Sequence, residues 1–210
     1  MLVNVYVDGF NLYYGCLKGT PYKWLDLDAL SRRLLPDDRI HRIRYFTARI
    51  SPRPDDPQCH QRQQYYLRAL ATIPHLEVHL GRFQQTTTRM RLAHPPAHGP
   101  RTVEVIKTEE KGSDVNLATH LLADAFRSDF ETAVIITNDA DLAEPIRMVR
   151  HELDLRIGIA NPHPPHRRSG ALFQVTPTFF RQIRPSTLRD CQFPDTLWDR
   201  QGRMQRPTKW

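Results

Sequence analysis

Four aspartates occur where predicted strands end or predicted helices begin. Asp8 closes the apolar strand "MLVNVYVD", and Asp139 and Asp141 follow the continuous apolar run "TAVIIT". Asp114 falls in the first turn of the helix that precedes that run. Functional groups of a parallel sheet collect at the carboxyl ends of its strands, so we expect these four acids to share one edge of a sheet.

Four carboxylates in one cleft would repel one another unless a counter-charge neutralised them. Hard divalent cations such as Mg²⁺ or Mn²⁺ prefer oxygen ligands and are the usual solution. Two such ions about 4 Å apart can activate a water and stabilise the leaving oxygen in phosphodiester hydrolysis. Asn11 lies one helical turn after Asp8 and could orient a carboxylate or a water bound to the metal.

Helix capping is the better explanation for each acid when it is taken alone. Asp139 could cap the helix that follows it, and Asp141 with Glu144 resembles a capping box. Asp114 suits a helix N-terminus because of the helix dipole, and Asp8 could start a helix after a turn at Gly9. The occurrence of all the acids at element ends of one sheet favours a shared metal site.

The elements that must position these acids alternate between strand and helix. Apolar runs of period two or of continuous β-branched residues predict strands, and apolar residues at helical spacing predict helices. The predicted strands are 1–8, 42–50, 75–83, 132–137 and 155–160, and the predicted helices are 25–35, 57–72, 111–128 and 140–153. This alternation indicates a three-layer α/β/α fold with a mostly parallel sheet of about five strands.

Two segments do not fit this alternation. Residues 84–105 are polar, basic and broken by prolines, so we expect an irregular insertion, either a flexible excursion or a hairpin. Residues 185–210 predict a loosely held basic tail rich in proline and arginine. The predicted organisation is one domain over residues 1–184, followed by this tail.

The charge balance favours a polyanionic partner. The formal net charge is +7 and the pI is about 9.6, which suits phosphate neutralisation with release of counterions. Arg89 and Arg91 in the insertion, with Arg167 and Arg168 near the end of the last predicted strand, could line a phosphate-binding groove. A solvated basic surface is the plainer alternative for each of them.

Several classes of protein receive no support from the sequence. No apolar run approaches the ~20 residues that a membrane helix needs, and polar residues interrupt the N-terminal apolar stretch, so we expect no membrane segment and no signal peptide. Three scattered cysteines form no CxxC pair, which fits a reducing cytoplasm. The chain has no GxGxxG or Walker-type loop for a nucleotide cofactor.

Three motifs together resemble the NYN domain family of PIN-like ribonucleases. They are Asp8-x-x-Asn11 in "VYVDGFNLYYG", Lys111-Gly-x-Asp114 in "KGSDVNLATHLLADAF", and Thr137-x-Asp139-x-Asp141 in "AVIITNDADLAEPIRMV". The resemblance covers about residues 2–160. It implies a PIN-like Rossmannoid sheet of order 3-2-1-4-5, in which the strand of Asp8 lies beside the strand of Asp139.

The resemblance also implies roles for individual residues. Asp8, Asp114, Asp139 and Asp141 would hold or orient Mg²⁺ or Mn²⁺, with Thr137 and Asn11 in support. Lys111 would either meet a phosphate or mark the entrance of its helix.

The predicted function is hydrolysis of RNA phosphodiester bonds by a metal-activated water at the acidic cluster. The alternative is a non-catalytic RNA-binding or regulatory module on the same fold. The predicted partner is RNA, single-stranded or structured. Candidate protein partners are a second copy of the chain or an antitoxin-type protein, since the fold superfamily includes toxins.

Overall fold

The computed structural model describes all 210 residues. Nine strands are present: β1 (Leu2–Asp8), β2 (Arg39–Ala48), β3 (Leu76–Arg91), β4 (Thr102–Lys111), β5 (Thr132–Ile136), β6 (Arg156–Asn161), β7 (Phe179–Gln182), β8 (Thr196–Asp199) and β9 (Gly202–Gln205). Seven α-helices accompany them: α1 (Gly9–Leu12), α2 (Leu27–Leu34), α3 (Cys59–Leu70), α4 (Ser113–Phe126), α5 (Ala143–Arg147), α6 (Gly170–Gln174) and α7 (Pro185–Asp190). Shorter helical turns extend α1 to Leu17 and α5 to Glu152, and precede α5 at Ala140–Leu142. None of the helices is long and apolar enough to span a membrane.

A seven-stranded sheet of order β4-β3-β2-β1-β5-β6-β7 forms the middle layer. Every neighbouring pair is parallel except β3 and β4, which are antiparallel. The inner order β3-β2-β1-β5-β6 is the 3-2-1-4-5 order that the family resemblance implied, with β4 and β7 added outside it. The three-layer α/β fold is therefore confirmed, with seven strands rather than about five.

The two faces of β1 point into different cores, because successive side chains of a strand alternate. Val3, Val5 and Val7 pack in the core under α2 and α3. Tyr6 packs in the other core with Phe46 and the buried side of α4. Asp8 lies two residues after Tyr6 on the same strand, so its side chain points to the same face of the sheet, the face that α4 covers.

A buried ion pair fastens α4 to the sheet. The Arg44 guanidinium donates to both carboxylate oxygens of Asp124, from Nε at 2.7 Å and from Nη2 at 3.1 Å. The Tyr6 hydroxyl donates to the same carboxylate at 2.8 Å. Both charged side chains are almost fully buried, and a buried charge is tolerated when a partner of opposite charge and hydrogen bonds satisfy it. This pair fixes the height of α4 above β1 and β2.

The expectation of an irregular insertion over 84–105 is wrong, and the hairpin alternative is what forms. Strands β3 and β4 pair without interruption from Arg82↔Lys111 to Arg91↔Thr102, and the prolines fall in the connecting loop, 92–101. Beyond Gly81 the strand β3 has left β2 and pairs with β4 alone. We call this projecting part, 82–91 with 102–111, the ribbon. Its two faces are mostly exposed, so it lacks the apolar alternation by which strands are predicted.

The expectation of a loosely held tail over 185–210 is also wrong. Helix α7 and the antiparallel pair β8–β9 lie within it, and Met204 is buried in the core. The Trp210 ring packs 5.8 Å from the Tyr66 ring and 6.2 Å from the Trp24 ring. The few large apolar side chains of this basic segment are therefore enough to fold it onto the helices under the sheet.

Candidate metal centre

Three of the predicted carboxylates converge at the carboxyl edge of the sheet. Asp8 ends β1, Asp114 lies in the first turn of α4, and Asp139 follows β5. One carboxylate oxygen from each lies within 4.8 Å of those of the other two. Asp8 is buried, whereas Asp114 and Asp139 are more open to solvent. A donor set of three carboxylates, one of them buried, fits a hard divalent cation.

The carboxylate of Asp8 is held by hydrogen bonds on both oxygens. The Asn11 backbone N–H donates to Oδ1 at 2.9 Å, and the Thr137 hydroxyl donates to Oδ2 at 3.0 Å. The hydroxyl of Thr137 accepts in turn from the backbone N–H of Asp139 at 3.1 Å. Thr137 therefore orients the carboxylate of Asp8 and the backbone of Asp139, two of the candidate metal ligands.

Asn11 supports the site through its backbone and through a second contact. Its side-chain oxygen accepts from the backbone N–H of Asn138 at 2.9 Å, so the amide ties α1 to the loop after β5. The backbone N–H of Asn11, and not its side chain, therefore orients the Asp8 carboxylate. The side chain of Asn11 positions the loop that carries Asp139.

Asp141 stands outside the group of three. Its backbone N–H donates to Oδ1 of Asp139 at 3.0 Å, while its own side chain is exposed and lines a shallow groove with Glu144 and Arg147. The carboxylate still contributes to raising the pKa of Asp114. The structure thus gives Asp141 a positioning contact with Asp139, and its place as a metal ligand stays a prediction.

The cluster is electrostatically unfavourable by itself. Burial, with the neighbouring charges of Asp114 and Asp139, raises the pKa of Asp8 to about 7, against the opposing effect of its two hydrogen bonds. Burial, Asp139 and Glu110 raise the pKa of Asp114. Carboxylates that share a site resist simultaneous ionisation. A bound cation would remove this penalty.

Glu110 is a further acid at the site that the sequence analysis missed. Its Oε1 accepts from the backbone N–H of Ser113 at 3.2 Å and from the Ser113 hydroxyl at 2.8 Å. It thereby caps the start of α4 from the end of β4, beside Asp114. The sequence signal for Glu110 was its position immediately before Lys111-Gly112. Glu109 lies beside it in the sequence, and nothing there favoured one glutamate over the other.

Two glycines let β4 and α4 approach the site. Gly112 has φ +102° at the junction of β4 and α4, a conformation that glycine adopts far more readily than residues with a Cβ. A Cβ on Gly81 would lie 2.2 Å from Glu110 Oε1 and 2.7 Å from the carbonyl oxygen of Lys111. The glycine of the Lys-Gly-x-Asp motif is thus the turn that places Asp114 at the cluster.

The acids lie in an open cleft of about 950 Å³, which we call the acidic cleft. One wall is the ribbon, and another is the segment that follows β2. Its lining residues are Asp8, Phe10, Asn11, Tyr14, Ile50, Ser51, Pro52, Arg53, Pro54, Phe83, Gln85, Thr108, Glu110, Asp114, Asp139 and His163. Arg53 is a cation at this cleft that sequence reasoning did not select, because it lies in a turn cluster with no periodicity.

The predicted phosphate-binding residues do not line the acidic cleft themselves. Arg89 and Arg91 lie further along the ribbon, and strand alternation puts them on the same face as Phe83 and Gln85, which do line it. Lys111 pairs with Arg82 on the other face, with its Nζ 3.5 Å from a Glu109 carboxylate oxygen. The position of Lys111 supports the helix-entrance interpretation over a phosphate contact.

Arg167 and Arg168 lie behind the loop that carries Asp139. The side-chain amide of Asn138 donates to the carbonyl of Arg167 at 2.8 Å, which ties this turn to the site. The Arg168 guanidinium stacks 4.3 Å from the centre of the Phe173 ring. A phosphate contact from either arginine stays a prediction.

The chain matches one family model and is similar to two known proteins. The NYN domain model matches residues 2–181. The chain is 32% identical to 6-hydroxy-3-succinoylpyridine 3-monooxygenase HspA of Pseudomonas putida, over 99% of this chain and 74% of that protein. A protein of unknown function from Vibrio parahaemolyticus superposes with a TM-score of 0.55 at 16% identity, over 88% of this chain and 93% of the other. That likeness shows the fold alone.

The motifs that carried the resemblance lie inside the matched range, and they meet at one edge of the sheet. The family match spans the whole sheet, from β1 to within β7. The chain belongs to the NYN domain family.

Proposed function

We propose that the chain is a Mg²⁺- or Mn²⁺-dependent ribonuclease that hydrolyses phosphodiester bonds in the acidic cleft. The observation that carries the proposal is the convergence of Asp8, Asp114 and Asp139 within 4.8 Å. Membership of a family related to PIN-like nucleases supports a nuclease-type reaction.

The residues have distinct parts in this proposal. Asp8, Asp114 and Asp139 would hold the cation, which supplies Lewis acidity for activating water and neutralising phosphate charge. Thr137 and the Asn11 backbone fix the direction of the Asp8 carboxylate. Asp141 fixes Asp139 through its backbone N–H.

The walls of the acidic cleft suit a nucleic-acid strand. Arg53 supplies a positive charge to the lining of the cleft, and Arg89 and Arg91 lie on the same face of the ribbon as Gln85, further along β3. Phe10 and Phe83 pack edge to face at 5.7 Å on the lining of the cleft, and aromatic side chains there can stack on unpaired bases. The cleft is open, so it admits a strand that continues past the site.

The test is cleavage of single-stranded and structured RNA in the presence of Mn²⁺ by the wild type, Asp8→Asn and Asp139→Asn. We expect cleavage by the wild type alone. Equal cleavage by all three proteins would trace the activity to a contaminating nuclease and overturn the proposal. RNA binding that persists in a chelator without turnover would instead support the non-catalytic RNA-binding module.

A toxin of a toxin–antitoxin pair is one biological role for such an activity. Its signature would be growth arrest on induction that is lost in Asp139→Asn. A role of this kind would make the antitoxin a protein partner of the chain.

Oxygenation of a small aromatic compound is the second candidate function. It is supported by the 32% identity to the monooxygenase HspA, which extends over 99% of this chain. A monooxygenase transfers one oxygen atom of O₂ to its substrate and reduces the other to water with two electrons from a donor. Oxygen uptake with 6-hydroxy-3-succinoylpyridine and a two-electron donor, together with intact RNA in the cleavage assay, would select this function over the ribonuclease.

A further inference from the structure

A second pocket adjoins the acidic cleft and has a different chemical character. It lies beside the start of α1, between the end of β2 and α3, and has a volume of about 120 Å³. We call it the aromatic pocket. The four residues Phe10, Tyr14, Ile50 and Arg53 line both it and the acidic cleft, so a ligand in one can extend into the other.

Aromatic rings form the inner wall of this pocket. Tyr45 and Tyr66 are buried and meet edge to face at 6.2 Å, and the Trp210 ring lies 5.8 Å from Tyr66. A cavity of roughly 150 Å³ is known to take up benzene. The aromatic pocket, at about 120 Å³, is slightly smaller than that cavity and suits a single six-membered ring, with aromatic side chains to pack against it.

The rim of the aromatic pocket carries more positive than negative charge. Its charged lining residues are Lys23, Arg53, Arg62 and Asp56. Arg62 is paired with Asp56 Oδ2, whereas neither Lys23 nor Arg53 forms an ion pair anywhere in the structure. Two unpaired cations at the mouth of an aromatic pocket favour a ligand with an anionic group.

We propose that the aromatic pocket binds a six-membered aromatic ring that carries an anionic group. Two sources share this chemistry. One is a pyrimidine nucleotide of an RNA strand, with its base in the pocket and its phosphate at Arg53 on the border of the acidic cleft. The other is a free aromatic carboxylate. The proposal concerns binding and does not depend on the reaction at Asp8.

The test is calorimetric titration of the full chain in EDTA, so that no divalent metal contributes. The ligands are UMP, pyridine-3-carboxylate, uridine, AMP and inorganic phosphate. We expect UMP or pyridine-3-carboxylate to bind with a Kd of about 1 mM or tighter. Uridine and phosphate, which each lack one half of the ligand, should bind at least about tenfold more weakly, as should the larger AMP. If only UMP binds tightly, the ligand is the pyrimidine nucleotide. If only pyridine-3-carboxylate binds tightly, the ligand is a free aromatic carboxylate.

Variants locate the binding site. Arg53→Met and Lys23→Met remove the unpaired cations and keep an unbranched side chain, and each should weaken binding by about tenfold. Arg33→Met is the matched control, since Arg33 is an exposed residue of α2 away from both pockets. Thermal melting checks that each variant is folded.

Two results would overturn the proposal. One is failure of both anionic ring compounds to bind to the folded wild type. The other is equal binding of UMP and uridine that neither substitution changes. Binding of UMP by a protein that leaves RNA intact would reject the ribonuclease and keep this inference, so the two failures are distinguishable.

Discussion

The Thr137 hydroxyl donates a hydrogen bond to Oδ2 of Asp8 at 3.0 Å, and both residues are buried. Through it the residue after β5 sets the direction of the carboxylate that ends β1. The Thr137 hydroxyl oxygen also accepts a hydrogen bond from the backbone N–H of Asp139. A single hydroxyl thus couples two of the three converging acids, which explains the threonine two residues before Asp139 in the motif.

We expect Thr137→Val to weaken Mn²⁺ binding by about tenfold or more, as loss of a group that orients a ligand typically does. The hydrogen bond from Thr137 lowers the pKa of Asp8, so its removal should raise that pKa. The acidic limb of the pH profile of RNA cleavage should then move to higher pH. Thr137→Ser keeps the hydroxyl and is the control. A valine variant with wild-type affinity and pH profile would refute the coupling.

Asp8 should make the metal-free protein less stable as the pH rises. Its pKa is about 7 in the fold, against 3.8 for an ordinary aspartate, so the folded state holds the proton more tightly than the unfolded state. The free energy of unfolding therefore falls between about pH 4 and pH 7, by up to about 4 kcal/mol from this group.

The measurement is urea unfolding in EDTA at several pH values. Above pH 7 we expect Asp8→Asn to be more stable than the wild type, because the amide carries no charge to bury. Asp37→Asn, at an exposed position, is the control. An asparagine variant that is less stable than the wild type at pH 8 would contradict the electrostatic account of the cluster.

Gly112→Ala should disturb both stability and metal binding. A Cβ at φ +102° costs about 1–3 kcal/mol, and relief of that strain would displace the first turn of α4 with Asp114. Gly170→Ala is the matched control, because that glycine has an ordinary backbone conformation and open space around it. Equal unfolding midpoints and equal Mn²⁺ affinity for the two variants would argue against the turn as the device that places Asp114.

The buried pair Arg44–Asp124 should matter for stability rather than for chemistry. Asp124→Asn removes the buried carboxylate that accepts two hydrogen bonds from the guanidinium and leaves only the half-exposed Glu77 as its ion-pair partner. Breaking a buried pair costs about 3–5 kcal/mol. The double variant Arg44→Met, Asp124→Leu should recover much of that loss, since apolar residues can replace a buried pair. Urea midpoints of the two variants give the comparison, and a cost below about 1 kcal/mol for Asp124→Asn would show that the pair is dispensable.

The inner sheet and the converging acids could be predicted from the sequence because their signals are local. Apolar strands β5 and β6 are buried on both faces and read as continuous apolar runs. Asp8 and Asp139 follow such strands directly, and parallel pairing of β1 with β5 must bring their ends together.

The ribbon and the tail could not be predicted in the same way. The ribbon pairs its backbone without burying either face, so its strands leave no apolar pattern. The tail folds through isolated side chains such as Met204 and Trp210, which contact residues far away in the chain. The exposed side chain of Asp141 shows the same limit, because spacing gives the position of a residue and not the direction of its side chain.

A crystal structure of the protein soaked in Mn²⁺, with anomalous scattering measured at the manganese edge, tests the central claim most directly. The account predicts an anomalous peak in contact with the carboxylates of Asp8, Asp114 and Asp139, and its loss in crystals of Asp8→Asn. Absence of a peak at these three residues in the wild type, or an unchanged peak in Asp8→Asn, would contradict it.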